Sequence, residues 1–581
     1  MFSKYYQVEL GFLRESGKAF GLAHPQLAGL LAERGGDPDV ERLLEGFAFL
    51  SARIRERIED AVPEVVHGLA DILLPLSLRP IPACTIAELT PHLRALRSPI
   101  PVPAGTEFCA TPVDGTSCRF RSSTPIELLP LSLTGVQAEV GQGTATSLRL
   151  SFQTTEQGRA AITQASGIRL FLHGELSTTT QLFLGFTQHL REVSLQIPGD
   201  SVPERHLPKE SLVPVGLEKD APLFPVPADA LSSHLRLLEY FVFPQRFLFF
   251  ELRNLFKTVP LSTDRFEVVF RFEGAPPLPG RLPADALRLH CVPIVNLFPA
   301  TADPLRQEHP GQAMFLRAAG VDPKHMEVYS VEHVEGLREG GQRRLYPPFR
   351  DFAHIGNEHH AAFFQLHRAA SPLDAHSDVV LRVGNPKLSD VHIENEVLSV
   401  ELSATNRALA SRVGLGDVRV PTSSSPTLAQ FRNITPVTSP IPPALGNELH
   451  WQLISHLGMN QRSLAHLPTL RTLLGLYNFN VRADQNVARA NTLRIQALRA
   501  VQTAPARRFV SGAPVRGMKM QLSVDETRFS GLGDAYLFGC MLDALFASAA
   551  TLNSFHELSF KLEPSQAHYA WPPRSGSRPL L

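Results

Sequence analysis

Apolar positions along this chain keep two different periods, and the change from one to the other falls near Pro75. Before it, Tyr6, Leu10, Leu13, Gly17 and Phe20 are spaced by 4, 3, 4 and 3 residues, and Val40, Leu43, Phe47, Leu50 and Ile54 by 3, 4, 3 and 4. Both sets are narrow helical seams. Asp37-Pro38 supplies an N-cap and a first-turn proline for the second helix, and Pro63 ends it and can open a third that runs to Pro75. A unit of two or three such helices buries too little surface alone, so the rest of the chain or another subunit must cover it. The spacing therefore predicts a helical bundle over 1–75. Its seam residues Tyr6, Leu10, Leu13, Phe20, Val40, Leu43, Phe47, Leu50 and Ile54 are the candidate subunit interface.

Beyond Pro75 the period falls to two. Leu148, Leu150 and Phe152 alternate with polar residues, as do Ile168, Leu170 and Leu172, then Val193, Leu195 and Ile197, then Phe266, Val268, Phe270 and Phe272. This predicts a β-rich domain over 76–276, with the proline-spaced Ser98–Phe108 stretch as an edge strand or an extended arm. A second β-rich domain follows over 277–442, with alternation at 326–331, 379–383 and 397–402, closing at the Pro-dense joint 438–443. The remainder, 443–581, mixes periods. Leu464, Leu467, Leu470, Leu474 and Tyr477 make a helical stripe that Ser463 could cap. Met518 to Val524, a helix from about Asp534, and Leu558 to Leu562 make a strand, helix, strand unit. Leu537, Met541, Leu545 and Ser548 share one face of that helix. Asp543 lies about 200° round from it, so its replacement is expected to be nearly silent. The fold class is α+β.

Composition changes the picture in three places. Lys+Arg and Asp+Glu are both 56, which leaves no basic excess for neutralising phosphates, so nucleic acid is not an expected partner. Thirty-five Phe against 8 Tyr and 2 Trp supplies aromatic bulk with few polar handles, suited to dry cores and interfaces. Five cysteines without a C-x-x-C pair write neither a disulfide ladder nor a zinc knuckle, and the N-terminus has no apolar signal core. The most apolar stretch, 536–550, carries Asp543 and is shorter than the ~18 residues a membrane span needs. The expectation is a cytoplasmic chain without direct membrane insertion.

Candidate chemistry is thin. Gly11 to Ala19 resembles a phosphate loop, but five residues separate its glycines, it ends in Ala where a hydroxyl is required, and it lies on a helical seam. Gly531-Leu532-Gly533 lacks a third glycine and is expected to open a helix. The densest histidine cluster, His354, Glu358, His359, His360 and His367, has no spacing that sets two imidazoles on one helix face. It reads as a surface loop followed by a strand. A hydrolase site built from loops near His354–His367 is the alternative reading, and a ligand-binding β-protein a second. No cofactor or metal is expected.

Longer blocks carry a resemblance. Tyr5-Tyr6-x-x-Glu9-Leu10-x-x-Leu13-Arg14-x-x-Gly17-x-x-Phe20, with the run from Asp37 to Ile54, resembles the opening of the TssF family, also called ImpG or VasA. These are baseplate subunits of the bacterial type VI secretion system. Matches recur in family order at Val102 to Thr106, Tyr240 to Phe250, Cys291 to Phe298, Trp451 to Asn460 and Gly533 to Gly539 with Asn553-Ser554-Phe555. Two departures stand out: Gln452 where the family favours Arg, and an Ala-rich stretch before Val515-Arg516-Gly517. The resemblance implies a multidomain fold like the wedge proteins of contractile phage tails, and no enzymatic activity. It also implies a subunit that joins TssG and other TssF copies, with TssK, TssE and the VgrG hub as neighbours, on the cytoplasmic face of the inner membrane.

Overall fold

The computed structural model describes residues 68–71, 73–141, 144–198, 204–217, 222–226, 232–255, 263–274, 282–308, 312–338, 341–349, 363–371, 374, 376–384, 396–445, 447–457, 461–510 and 513–576. Of the N-terminal part it describes Tyr6, Gln7, residues 10–14, Ser16, Asp39 and residues 42–52, all of them helical. The remainder is mixed α+β, with several small sheets around three apolar cores.

A six-stranded antiparallel sheet ties distant segments together. Its order is Val418–Val420, Glu107–Ala110, Arg119–Ser122, Cys291–Val295, Cys84–Pro91, Ala429–Asn433. Strands from both expected β-rich stretches thus share one sheet. The Cys-Val-Pro-Ile-Val strand near its middle is buried at every position, as a strand covered on both faces must be. The Pro-dense 438–443 joint is stitched along Cys84–Pro91. Ile81 and Ile441 exchange main-chain bonds of 2.9 Å, and Thr435 and Thr438 accept from the Ile86 and Cys84 amides at 3.0 and 2.9 Å. The threonine hydroxyls thus serve as acceptors for two buried strand amides that would otherwise be left without a partner.

Two further sheets, built on Thr144–Thr154 with Arg265–Phe272 and on Gly167–Leu172 with Phe249–Arg253, confirm the period-two reading. Phe152 stacks on Phe266 at 5.0 Å inside. Outside, Arg149 reaches Glu267 at 2.6 Å and Glu139 at 3.1 Å, so the alternation separates an apolar from an ionic face. The Pro-spaced segment pairs as Ile100–Val102 with Ile126–Leu128 in a two-stranded ribbon. Three helices lie within the stretch expected to be mostly β: Glu156–Thr163, Leu176–Leu184 and Ser232–Val242. A separate core lies between the sheet built on Glu327–Leu337 and Glu396–Thr405 and the sheet of Ser377–Gly384 and Phe363–Ala370.

The C-terminal unit is the strand, helix, strand block that alternation predicts. Ala513–Asp525 pairs in parallel with Ser554–Glu563, and the helix Leu532–Ala549 connects them. One strand was not foreseen: Leu498–Val510 pairs antiparallel with Ala513–Asp525. The leucine stripe is helical over Gln461–Leu464 and Leu467–Leu476. Ser463 lies inside the first of these, and the cap position of the second is His466, whose side chain makes no capping bond.

The helix Leu532–Ala549 corrects two expectations. At eighteen residues it is long and apolar enough to span a membrane by length and composition, but 83% of it is buried inside the protein. It also has no solvent face. Gly533 abuts the Thr180 carbonyl so closely that a Cβ there would stand 2.1 Å from its oxygen, and Gly539 lies against the Trp571 ring. Asp543 is fully buried, 2.5 Å from Arg574 Nε and 2.9 Å from His556 Nε2. The face argument placed it in water because it assumed that only one side of the helix packs. Burial lifts the Asp543 carboxyl to about 6 against the pull of Arg574, and burial pushes the His556 imidazole down to about 4.

Asp543→Lys would set a second cation beside Arg574 in a dry site. It is expected to unfold the C-terminal unit as severely as Leu545→Asp, by several kcal/mol, read from the urea midpoint of buried Trp571 fluorescence. The paired titrations give a pH signature. His556 has its folded value below its ordinary 6.5, so its contribution is complete above that pH and is lost as pH falls toward 4. Asp543 has its folded value above 3.8, so its own contribution is complete below that pH and is lost as pH rises toward 6. The two slopes oppose. In His556→Gln only the Asp543 slope remains, so the wild-type advantage should grow by about 3 kcal/mol from pH 4 to 6.5. A flat difference between the two midpoints across that range would contradict the assignment.

Candidate assembly interface

On a helix each residue turns about 100°, so residues 43, 47 and 50 lie within about 60° of one another, and residues 48 and 52 lie on the far side. The structure uses this geometry in an unusual sense. Ala48 and Ala52 are fully buried, whereas Leu43, Phe47 and Leu50 are 73%, 61% and 61% exposed. The small side chains face inward and the large apolar ones face out. Burying side chains of this size is worth roughly 1.5–3 kcal/mol each, so the stripe forgoes a large stabilisation in the isolated chain. Tyr6, Leu10 and Leu13 are half-buried, with Phe12 exposed beside them. Phe20, Val40 and Ile54 lie outside the described residues, so three of the nine seam positions are placed together in the open and three are partly covered.

An apolar cleft lies beside the start of the body, with Leu73 exposed at its rim. Leu73, Pro75, Leu235, Leu453 and Tyr477 line a shallow cleft of about 40 Å³. His234 at its wall contacts the Tyr477 hydroxyl, and burial holds the imidazole near 4 and therefore neutral. Sequence patterning missed His234 because no element was assigned over its helix, Ser232–Val242.

A larger cleft of about 230 Å³, lined by Pro101, Glu127, Ser166, Arg169, Glu251 and His290, offers little chemistry. The Leu129 amide donates to His290 Nε2 at 3.1 Å, and burial lowers that imidazole to about 4. Its basic nitrogen is thus already occupied. Burial raises the thiols of Cys84, Cys118, Cys291 and Cys540, which keeps all four protonated and unreactive at neutral pH.

Of the histidine cluster, His354, Glu358, His359 and His360 lie outside the described residues. His367 sits half-buried in Phe363–Ala370, opposite Val380. Glu332 and His333 are exposed on Glu327–Leu337. Among the described residues no group of three or more His, Cys, Asp or Glu could hold a metal. Residues 11–14 and Ser16 of the loop-like glycine motif are helical, and Gly531-Leu532-Gly533 opens a helix as expected.

The architecture and the sequence have known counterparts. The model of the family "Type VI secretion system, TssF" matches residues 1–578. The chain belongs to the TssF family. The type VI secretion system component TssF1 of Pseudomonas aeruginosa is 28% identical, with 100% of this chain and 99% of that protein aligned. A chain of the TssK-TssF-TssG baseplate subcomplex superposes with a TM-score of 0.76 at 29% identity, over 92% of this chain and 99% of that one. A chain of the type VI baseplate complex superposes at 0.62 and 28% identity over the full length of both. This TssF-family chain is accordingly a structural subunit of a type VI secretion baseplate.

Purified protein should contain no stoichiometric zinc or iron by elemental analysis. One equivalent lost on His359→Ala would make the histidine cluster a metal site.

Proposed function

We propose that this chain is a scaffold of the baseplate wedge that joins TssG through its exposed N-terminal seam, without a catalytic step of its own. The observation that carries the reading is the full-length likeness to a chain of an assembly whose components are TssK, TssF and TssG. The outward stripe of Leu43, Phe47 and Leu50 supports the seam as the contact, because a helix that turns its large apolar side chains to water has its partner outside the described fold. In this reading further TssF copies and TssK complete the wedge. TssE and the VgrG hub are its neighbours, and the assembly stands on the cytoplasmic face of the inner membrane.

Co-expression tests both levels. Wild-type chain should recover TssG, and Phe47→Asp with Leu50→Asp should lose it while the melting temperature of the isolated chain stays unchanged, since both side chains are already exposed. Recovery of TssG by the double variant at wild-type yield would remove the seam from the interface. Failure of the wild type to recover TssG would remove the wedge reading itself.

A further inference from the structure

The strand Leu498–Val510 is thirteen residues long, about twice the usual strand, and lies at the edge of its sheet. It pairs on one side with Ala513–Asp525, and among the described residues no strand pairs with its other side. Its side chains are largely exposed on both faces over residues 502–509, and Phe509 near its end is 82% exposed. Over residues 502–509 a row of main-chain donors and acceptors is therefore left without a paired strand, whereas at the strand's start the Leu498 carbonyl already accepts from Arg471. Natural edges this long are usually shortened, bulged or covered.

The same stretch breaks the charge balance of the chain. Residues 498–519 hold five cations, Arg499, Arg507, Arg508, Arg516 and Lys519, and no Asp or Glu. Arg499 reaches Asp525 at 2.6 Å, and Arg508 and Lys519 share Glu557 at 3.1 and 3.2 Å. Arg507 and Arg516 stand directly opposite each other in the register, and neither pairs with a carboxylate among the described residues. Like charges in that relation destabilise a sheet unless something anionic lies against them. Ala500, Ala504, Ala506 and Gly517 keep the ribbon thin around them.

We propose that this edge takes up an extended, acidic segment of a partner protein as an added strand, with carboxylates set against Arg507 and Arg516. A second copy of the same edge is disfavoured, because it would bring arginines against arginines. A nucleic acid would neutralise the arginines and leave the open ladder unfilled, whereas an acidic strand satisfies both. Pro505 lacks a donor and marks one position that the added ladder must skip. The surface is separate from the N-terminal seam, and its test does not involve TssG or TssK.

The probe is a short synthetic peptide of alternating Glu and Val, titrated against the full chain by fluorescence anisotropy and by amide hydrogen exchange. The expected result is binding with exchange protection over residues 502–509. Affinity should fall about tenfold or more in Arg507→Glu with Arg516→Glu, fall less in the Gln pair, and vanish when alternate peptide nitrogens are methylated. Circular dichroism and melting should be unchanged, as both arginines are exposed. Equal binding of the methylated peptide would reduce the site to bare charge and overturn strand addition. No binding at all would make the cations a guard on the edge. Tighter binding of a single-stranded oligonucleotide with protection in the same segment would replace the partner class.

Discussion

A helix with no solvent face has to find a partner for every side chain it carries, and Leu532–Ala549 imposes that constraint on most of this fold. Its first turn approaches Leu176–Leu184 so closely that only glycine fits at position 533, and Gly539 admits the Trp571 ring from the opposite side. Tyr240 and Phe241 of Ser232–Val242 pack on Phe538. The two carboxylates on the helix are the severest requirement, since an unpaired buried charge costs several kcal/mol. Asp534 accepts from Arg494 at 3.1 and 3.2 Å, from Ser530 at 3.0 Å and from Tyr240 at 3.3 Å, and Asp543 is held by Arg574 and His556. The helix can be buried only when four distant stretches of chain have converged on it. The C-terminal unit is thus part of the same core as the sheets on Thr144–Thr154 and Gly167–Leu172.

The phenylalanines serve that core. Phe183 and Phe186 pack on Phe250, Phe186 also meets Phe270 and Phe272, and Phe171 meets Phe249, with centroids 4.7–5.7 Å apart. Rings without a hydroxyl can meet in any of these geometries without a hydrogen-bond partner having to be found. Small sheets from different parts of the sequence therefore join through rings that need no hydrogen-bond partner where they meet. Against so densely packed an aromatic interior, the apolar groups left outside are informative. Leu43, Phe47 and Leu50 are exposed together on one helix face, whereas the aromatic side chains named above are buried.

What could be read in the sequence follows from how each element is buried. Thr144–Thr154, Arg265–Phe272 and Ser554–Glu563 cover one face each, so their alternation was legible. Ser232–Val242 was missed because a short apolar run ending before Pro244 carries neither period clearly. Leu498–Val510 was missed for the opposite reason: exposed on both faces, it has little apolar alternation to read. Asp543 was misplaced by an argument that holds for one-sided helices alone. The ion clusters were out of reach, because Asp543 meets Arg574, and Glu327 meets His376, across gaps that no local pattern spans. The seam was legible in its spacing, yet the inward turn of Ala48 and Ala52 was not, since a stripe of large side chains is ordinarily the buried one.

Equal numbers of acids and bases do not make an even surface. Most exposed charge on the sheets is spent locally, as in Arg271 with Glu192 and Glu204, or Arg288 with Glu88 and Asp285. Such ladders cancel within a Debye length of about 8 Å and give no long-range field. Against that quiet background, a cationic ribbon without acids and an apolar stripe without cover differ in physical kind. The first acts at a distance and weakens with salt, so it bears on encounter and orientation; the second acts only on contact and is nearly indifferent to salt, so it bears on how long a complex lasts. A subunit that must be placed correctly before it is locked has use for both. The two features lie on separate parts of the chain, so each can be altered without touching the other.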